Sequence, residues 1–315
     1  MRLRISARKS DLARLQAYQV GDALKNQQPG LEIEYFFKSS LGDINLTDPL
    51  WKIPTKGVFT EDFQGELLEG QTDMVVHSWK DLPTEANSKT FIAASLPRAD
   101  QRDLLLIKKS SFVRLHSSKK MNLFSSSPRR IYNLESFCKT HLPFALQQVD
   151  FNSVRGNIPT RLQKTLQATE TDGIIVAKAA LDRLLSAQQE EFQATRLQLR
   201  QDLSKFEFCV LPLSINPNAA AQGSLAVEIL RTRTDLEKIL NQINDKNSYQ
   251  TSQKERDILA SYGGGCQQKI GISCLQRSYG ELSFLKGETQ SGQILNEKKL
   301  ALAQEKKWIC LETEL

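Results

Sequence analysis

Apolar residues alternate with polar ones at Leu3, Ile5 and Ala7. The period then lengthens, with Ala13, Ala17, Val20 and Leu24 recurring at helical spacing behind Ser10, a side chain suited to an N-cap. Pro29-Gly30 closes that helix, and Leu31, Ile33, Tyr35 and Phe37 alternate again, so the chain opens as β-α-β, the signature of a parallel sheet. Phe59, Phe63 and Leu67 mark a second helix and Asp73-Met74-Val75-Val76 a third strand, which runs straight into His77-Ser78-Trp79-Lys80-Asp81-Leu82-Pro83. A second α/β unit begins near Asp103 with a strand over 104–107, followed by strands at 122–124, 145–151 and 173–177 and a helix to about Ser186. The apolar run from Phe208 to Leu213 is expected to return to the first sheet, giving two lobes joined by two crossings. From about Thr232 the pattern gives two helices and then strand-like runs at 269–275 and 281–285, which read as a small α+β domain. The expected division is residues 1–98 plus 209–230 as lobe 1, 99–208 as lobe 2 and 231–315 as a C-terminal α+β domain.

Composition narrows the class. With 315 residues, 40% hydrophobic and 25% charged, the chain reads as an ordinary globular protein with room for two or three domains. No apolar run is long enough to cross a bilayer, and Met1-Arg2-Leu3-Arg4-Ile5 lacks a signal-peptide core, so the expectation is a cytoplasmic protein with no membrane contact. The cysteines, Cys138, Cys209, Cys266, Cys274 and Cys310, are odd in number and never paired as C-x-x-C, which argues against a disulfide framework and a zinc site. A formal net charge of +6 fits either nucleic acid or a small polyanion. The distribution favours the small anion: Arg8, Arg129, Arg130, Arg155 and Arg161 sit beside Gly, Ser or Asn in turn-like stretches, where a guanidinium fork can take a carboxylate or phosphate. No interleaving of basic and aromatic residues suggests a nucleic-acid surface.

Three stretches carry candidate chemistry. Arg8 and Asp81 both follow strands of the first sheet, where open α/β sheets bind ligands, although Lys80-Asp81 also reads as a solvated ion pair. Ser125-Ser126-Ser127-Pro128-Arg129-Arg130 and Arg155-Gly156-Asn157-Ile158-Pro159-Thr160-Arg161 each follow a strand and open a helix, where unpaired N–H groups and the helix dipole favour an anion. Gly263-Gly264-Gly265-Cys266 follows a helical segment and has two readings: a glycine C-cap with a bystander thiol, or clearance for a ligand that reaches the sulfur.

Taken in order, these motifs resemble one family, hydroxymethylbilane synthase or porphobilinogen deaminase. The resemblance covers most of the chain: Arg8 and Ser10, Lys56-Gly57-Val58-Phe59, His77-Ser78-Trp79-Lys80-Asp81-Leu82-Pro83, Ser126-Ser127-Pro128-Arg129-Arg130, Arg155-Gly156-Asn157 through Arg161, Ala180-Leu181-Asp182-Arg183-Leu184, Gln222-Gly223 and Gly264-Gly265-Cys266-Gln267. It implies two periplasmic-binding-protein-like lobes with a small α+β third domain carrying the cysteine. It also implies a monomeric transferase of porphyrin and heme biosynthesis that joins four porphobilinogen units head to tail and releases ammonia. By the same resemblance Cys266 holds a covalent dipyrromethane cofactor, assisted by Lys80, Ser126, Ser127, Arg129 and Arg130. Asp81 is the catalytic carboxylate, and Arg8, Ser10, Arg155, Arg161 and Arg183 bind substrate. The chemistry of the residues agrees: each pyrrole unit brings two carboxylates, and loss of ammonia leaves a cationic azafulvene that an ionised carboxylate stabilises.

Several positions depart from the family pattern. Phe124 stands where a glycine is usual, Pro128 precedes the arginine pair, and Asn218-Ala219-Ala220-Ala221-Gln222-Gly223 replaces P-A-V-G-Q-G. Ala180 also replaces a glycine, and Lys178 adds a charge. None removes a group assigned to chemistry, so an active enzyme is expected, with the stiffened crossing at Ala219 to Ala221 as its main difference. The alternative is a non-catalytic binding protein that uses the same two-lobed anion cleft.

Overall fold

A computed structural model describes residues 1–39, 61–85, 87–264 and 268–303, and the backbone of 308–310. Lys56-Gly57-Val58-Phe59 and Cys266 lie outside the described residues. The strands in chain order are β1 (Arg2–Arg8), β2 (Glu32–Lys38), β3 (Met74–Ser78), β4 (Thr90–Ala94), β5 (Asp103–Lys108), β6 (Lys120–Phe124), β7 (Gln148–Asn152), β8 (Gly173–Ala177), β9 (Phe206–Val210), β10 (Leu225–Leu230), β11 (Gly271–Arg277), β12 (Gly280–Glu288), β13 (Ile294–Leu302) and β14 (Trp308–Cys310). The helices are α1 (Asp11–Gln27), α2 (Glu61–Leu68), α3 (Phe112–Ser117), α4 (Pro128–His141), α5 (Ile158–Gln167), α6 (Lys178–Ser186), α7 (Gln193–Leu203), α8 (Thr234–Leu240) and α9 (Lys246–Ser261). They form two compact units, Met1–Asp100 with Ala221–Gly265 and Gln101–Ala220 with Cys266–Leu315.

The first unit is a sheet in the order β2-β1-β3-β10-β4. The β-α-β opening forms as its periodicity dictates: β1 runs parallel to both β2 and β3, and Leu3, Ile5 and Ala7 are buried against Ala17, Val20 and Leu24 of α1. Ser10 caps α1, its hydroxyl accepting from the Ala13 amide. The crossing back into this sheet differs from the sequence expectation. The run near Phe208 forms β9, which pairs antiparallel with β5 of the other unit's sheet, while β10 returns between β3 and β4. Burial explains the choice. A central strand is covered on both faces, and β10 is buried from Leu225 to Ile229, whereas β9 leaves Phe208 70% exposed and suits an edge. The helices after residue 231, expected in the third domain, also pack here: Leu236, Leu240 and Ile243 are buried in the same core as Ile5 and Met74.

The second unit holds a sheet in the order β7-β6-β8-β5-β9 and an antiparallel meander, β11-β12-β13-β14. Its first core gathers Leu105 and Ile107 of β5, Met121 and Leu123 of β6, and Leu134, Phe137 and Cys138 of α4. The meander joins through the segment before residue 220: the Ile272 amide donates to the Asn218 carbonyl, and the Ser273 hydroxyl donates to Asn218 Oδ1 at 2.6 Å. Gly271 is obligatory there, because a Cβ would lie 2.3 Å from the Pro217 carbonyl oxygen.

The substituted glycine positions are accommodated. Phe124 is an ordinary extended residue at the end of β6, paired with Asn152 and Ile174, and Pro128 takes the first turn of α4, where its missing N–H costs nothing. Ala221 alone among the described non-glycine residues has a positive φ, 62°.

Candidate active site

Two groups of functional residues form, one in each unit. In the first unit the parallel pairing of β1 and β3 brings their carboxyl ends side by side. Arg8 ends β1, Ser10 starts α1, and β3 runs into a single 3-10 turn, Trp79–Asp81. Arg8, Ser10, Gln16, His77, Ser78 and Asp81 line one pocket. Asp81 is exposed within it, open to solvent and to an incoming ligand. The pocket floor is fixed by Gln16 on α1, whose amide and the Ser78 hydroxyl lie 2.8 Å apart.

The residues flanking Asp81 contact the scaffold. Trp79 is 1% exposed and packs against the Tyr249 ring at 5.2 Å. Lys80 Nζ donates to Gln222 Oε1 at 3.2 Å. His77 is hydrogen-bonded to Glu228 of β10, Nε2 to Oε2 at 2.9 Å. Glu228 also accepts from Gln64 and Thr90. Burial raises the Glu228 pKa, but His77 and these donors outweigh it and hold the carboxyl below its usual range.

In the second unit the two expected anion sites are both genuine helix starts. Ser127 caps α4 by accepting from the Arg130 amide, and Asn157 caps α5 by accepting from the Thr160 amide. Ser126 bridges the two loops, accepting from the Val154 amide at 3.0 Å. The arginines divide into distinct environments. Arg129 is 4% exposed and turns inward, donating to Asn216 Oδ1, the Pro217 carbonyl and Asp103 Oδ2. Arg130 grips the same carboxylate in a fork, at 3.1 and 2.7 Å. Arg155 and Arg161 are half-buried around the α5 start, with Arg161 Nε donating to the Gly156 carbonyl at 2.6 Å. Arg183 on α6 is buried, and that burial pulls its pKa down to about 10 against the opposing pull of Asp182. An anion arriving beside it would be strongly stabilised.

Asp103 and Arg256 are the partners that sequence reasoning missed. The signal for Asp103 was a lone carboxylate heading the otherwise apolar strand Leu104–Ile107, and it is fully buried between two guanidiniums. Arg256 sits in a helix of mixed polarity with no local mark of its role.

The glycine stretch forms a helix C-cap as far as it is described. The Gly263 amide donates to the Ala260 carbonyl and that of Gly264 to Leu259, with φ of 91° and 63°. Gly264 also lies against the turn after Asp81: a Cβ on it would sit 2.3 Å from Thr84 Oγ1. The chain is thus close-packed without a side chain just before Cys266.

An α/β protein with arginine-bearing helix starts in one unit and a carboxylate beside an arginine at the strand ends of the other is built to bind polyanionic small molecules. Comparison with known proteins makes this specific. Residues 3–238 match the family model described as porphobilinogen deaminase, dipyromethane cofactor binding domain. A porphobilinogen deaminase of Syntrophomonas wolfei is 37% identical over 85% of this chain and 79% of its own length. One of Caldicellulosiruptor saccharolyticus is 33% identical over 91% of this chain and 90% of its own. A solved periplasmic sulfonate-binding protein of Methylobacillus flagellatus overlaps 82% of this chain and 69% of its own at a TM-score of 0.37 and 13% identity, too little to bear on the fold. The chain belongs to the porphobilinogen deaminase family.

Proposed function

We propose that this protein is a hydroxymethylbilane synthase, a transferase that joins four porphobilinogen units into a linear tetrapyrrole on a dipyrromethane held by Cys266, releasing ammonia and then, by hydrolysis, the product. Family membership carries the activity and the cofactor. The observation that carries the site is Asp81, exposed at the carboxyl ends of β1 and β3 in one pocket with Arg8 and Ser10.

The residues present fit a polycarboxylated, sulfur-linked group. Two capped helix starts with Arg130, Arg155 and Arg161 at them, and the buried Arg183 on α6, offer donors suited to acetate and propionate side chains. The buried Arg129 Nε has no hydrogen-bond partner among the described residues, and Gly264 packs on Thr84 where a side chain would not fit. Arg129, Arg130, Ser126, Ser127 and Lys80 hold the cofactor, and Arg8, Ser10, Arg155, Arg161 and Arg183 hold substrate. When bound, the dipyrromethane supplies the pyrrole carbon to which the first substrate unit is joined.

Asp81 acts where charge develops. As the aminomethyl nitrogen leaves, positive charge spreads over the substrate's pyrrole ring, and an ionised carboxylate beside the ring N–H lowers the energy of that cation. The same carboxylate would accept the proton that the attacking ring's α-carbon loses once the new carbon–carbon bond has formed, which restores aromaticity. Arg8 and Ser10 orient the substrate carboxylates so that the ring presents its nitrogen to Asp81. The Cys266 thiolate is a soft nucleophile for a methylene cation, which makes a stable thioether the natural tether.

The same reading places the protein in the cytoplasm as a monomer, away from nucleic acid and membranes. Among the described residues no helix is long and apolar enough to cross a membrane. It also assigns binding of the growing chain to the arginine-bearing lobe and the reacting carboxylate to the other, with the tether on the C-terminal segment.

Intact mass before and after incubation with porphobilinogen tests the assignment. The expected result is a dipyrromethane-sized increment on Cys266, absent in Cys266→Ala, and further increments in single-pyrrole steps. An unmodified mass overturns it, as does an adduct on Cys274, which is 1% exposed within the meander. Asp81→Asn is expected to load the tether and lose turnover at least 100-fold, in line with removal of one electrostatic stabiliser; near-normal tetrapyrrole formation would reject Asp81 as the catalytic carboxylate.

A further inference from the structure

The turn that carries Asp81 is held from behind by one side chain. Arg256, on α9, donates from one terminal nitrogen to the carbonyls of Trp79 and Leu82, each at 3.1 Å, and from the other to the carbonyl of Pro83. Arg256 is 9% exposed, so its charge is set against the carbonyl end of the short 3-10 turn rather than against water. Three carbonyls that converge on one point need a planar donor with several N–H groups in fixed directions. Guanidinium meets that need and an ammonium does not.

The other contacts of the turn are made to the same helix or to its neighbour. The Trp79 amide donates to the Ser224 carbonyl, and the Ser224 hydroxyl is 2.6 Å from that of Ser252 on α9. Tyr249, also on α9, packs on the Trp79 indole and donates to the Ile92 carbonyl. Arg98 and Glu255 form a buried two-point ion pair at 2.9 and 2.7 Å, which ties α9 to the segment leading out of β4. Little more than one helical turn after Arg256, α9 ends in the glycine cap whose Gly264 rests on Thr84. One helix therefore holds the backbone on which Asp81 stands and, at its own end, the chain leading to Cys266.

We propose that Arg256 is a positioning residue for the reaction: by clamping the Trp79, Leu82 and Pro83 carbonyls to α9, it sets the place of the turn that carries the Asp81 carboxylate. The inference rests on the reading of Asp81 as the reacting carboxylate. It predicts a specific split. With the clamp loosened, the tether still forms and porphobilinogen still binds, since neither requires Asp81 to be placed to a fraction of an ångström. The step in which the carboxylate faces a developing cation slows, because electrostatic stabilisation depends on a group already in position.

The test uses the full-length protein with its tether loaded. Arg256→Lys keeps the charge and loses the fork. The expected outcome is wild-type loading on Cys266 by intact mass, a KM for porphobilinogen within threefold of wild type and a kcat at least tenfold lower per loaded enzyme. Amide hydrogen exchange, measured on the unloaded and loaded protein, is expected to quicken at least tenfold at residues 79–84 and to stay unchanged in α1. Gly264→Ala gives an independent push on the same turn, because its Cβ must displace Thr84. It is expected to lower kcat with the same exchange signature, so the proposal remains testable if Arg256→Lys does not fold. A kcat within twofold of wild type in either folded variant overturns the clamp, as does a fall in kcat without faster exchange at 79–84. Asp81→Asn is run alongside. If it retains near-normal turnover, the reading of Asp81 has failed; if it is inactive while Arg256→Lys turns over normally, the clamp alone has failed.

Discussion

Ala221 shows how a single residue keeps the geometry of a glycine it replaces. Its φ of 62° is left-handed, a conformation that costs an L-residue about 1–2 kcal/mol. It is held there by its amide, which donates to Glu255 Oε2 at 2.8 Å, and by burial of its methyl group against Trp79, Leu82 and Ala226. Ala221→Gly relieves the strain but gives up about 0.8 kcal/mol of methyl burial and about 0.5–1 kcal/mol of chain entropy, so it is expected to be neutral within about 1 kcal/mol. Ala221→Val adds β-branching to a left-handed backbone at a site with no exposed surface, and a loss of at least about 2 kcal/mol is expected. Urea unfolding of the two variants checks both values; a stable valine variant would mean that the backbone relaxes to negative φ. The substitution thus keeps the backbone path of a glycine, with the strain held in one residue. Caps at this scale were readable because they are local: Ser10, Ser127 and Asn157 each bond the amide three residues on.

At the scale of elements, the decisive contact is the one that seats α4 on β5. Asp103 accepts from Arg129, Arg130 and Asn216 with no exposed side-chain surface. Burial pulls the Arg129 pKa down, and Asp103 pulls it back toward its usual value, so the guanidinium depends on this one carboxylate. Asp103→Asn keeps the shape and removes the charge. It is expected to cost about 3–5 kcal/mol, the usual penalty for leaving a buried ion without its partner, and urea unfolding of the unloaded protein measures it; a loss under about 1 kcal/mol would show that the guanidiniums find another counter-charge. A sequence reader sees two arginines at an anion-ready helix start and assigns both to the ligand, without the internal anchor that the structure adds for Arg129. The buried acid that turns Arg129 inward lies 26 residues upstream, and nothing local announces it. The same limit explains the strands. β1, β3 and β8 follow from local alternation or continuous burial, whereas the exchange of β9 and β10 between sheets depends on which sheet has an open edge and which an open centre, a property of the assembled layers.

At the scale of the whole molecule, the excess of 42 Lys and Arg over 36 Asp and Glu combines with a substrate that carries two carboxylates per ring. Much of the basic charge is already neutralised at short range, as in Arg98–Glu255 and Arg4–Asp73. The remainder acts on the two carboxylates of a substrate approaching through solvent, where the field is cut off over about 10 Å at 0.1 M salt and about 3 Å at 1 M. The two effects separate kinetically. Capture by such a field weakens as salt is added, while the cation-stabilising role proposed for Asp81 would work across a desolvated contact that mobile ions do not enter. Raising the salt concentration from about 0.05 M to about 0.5 M is therefore expected to raise the KM for porphobilinogen several-fold and to change kcat by less than about twofold. Steady-state rates at fixed pH across that range decide it. A flat KM would mean that the arginines at the α4 and α5 starts hold substrate only by close contact, and a kcat that falls with KM would place Asp81 in open solvent during the chemical step.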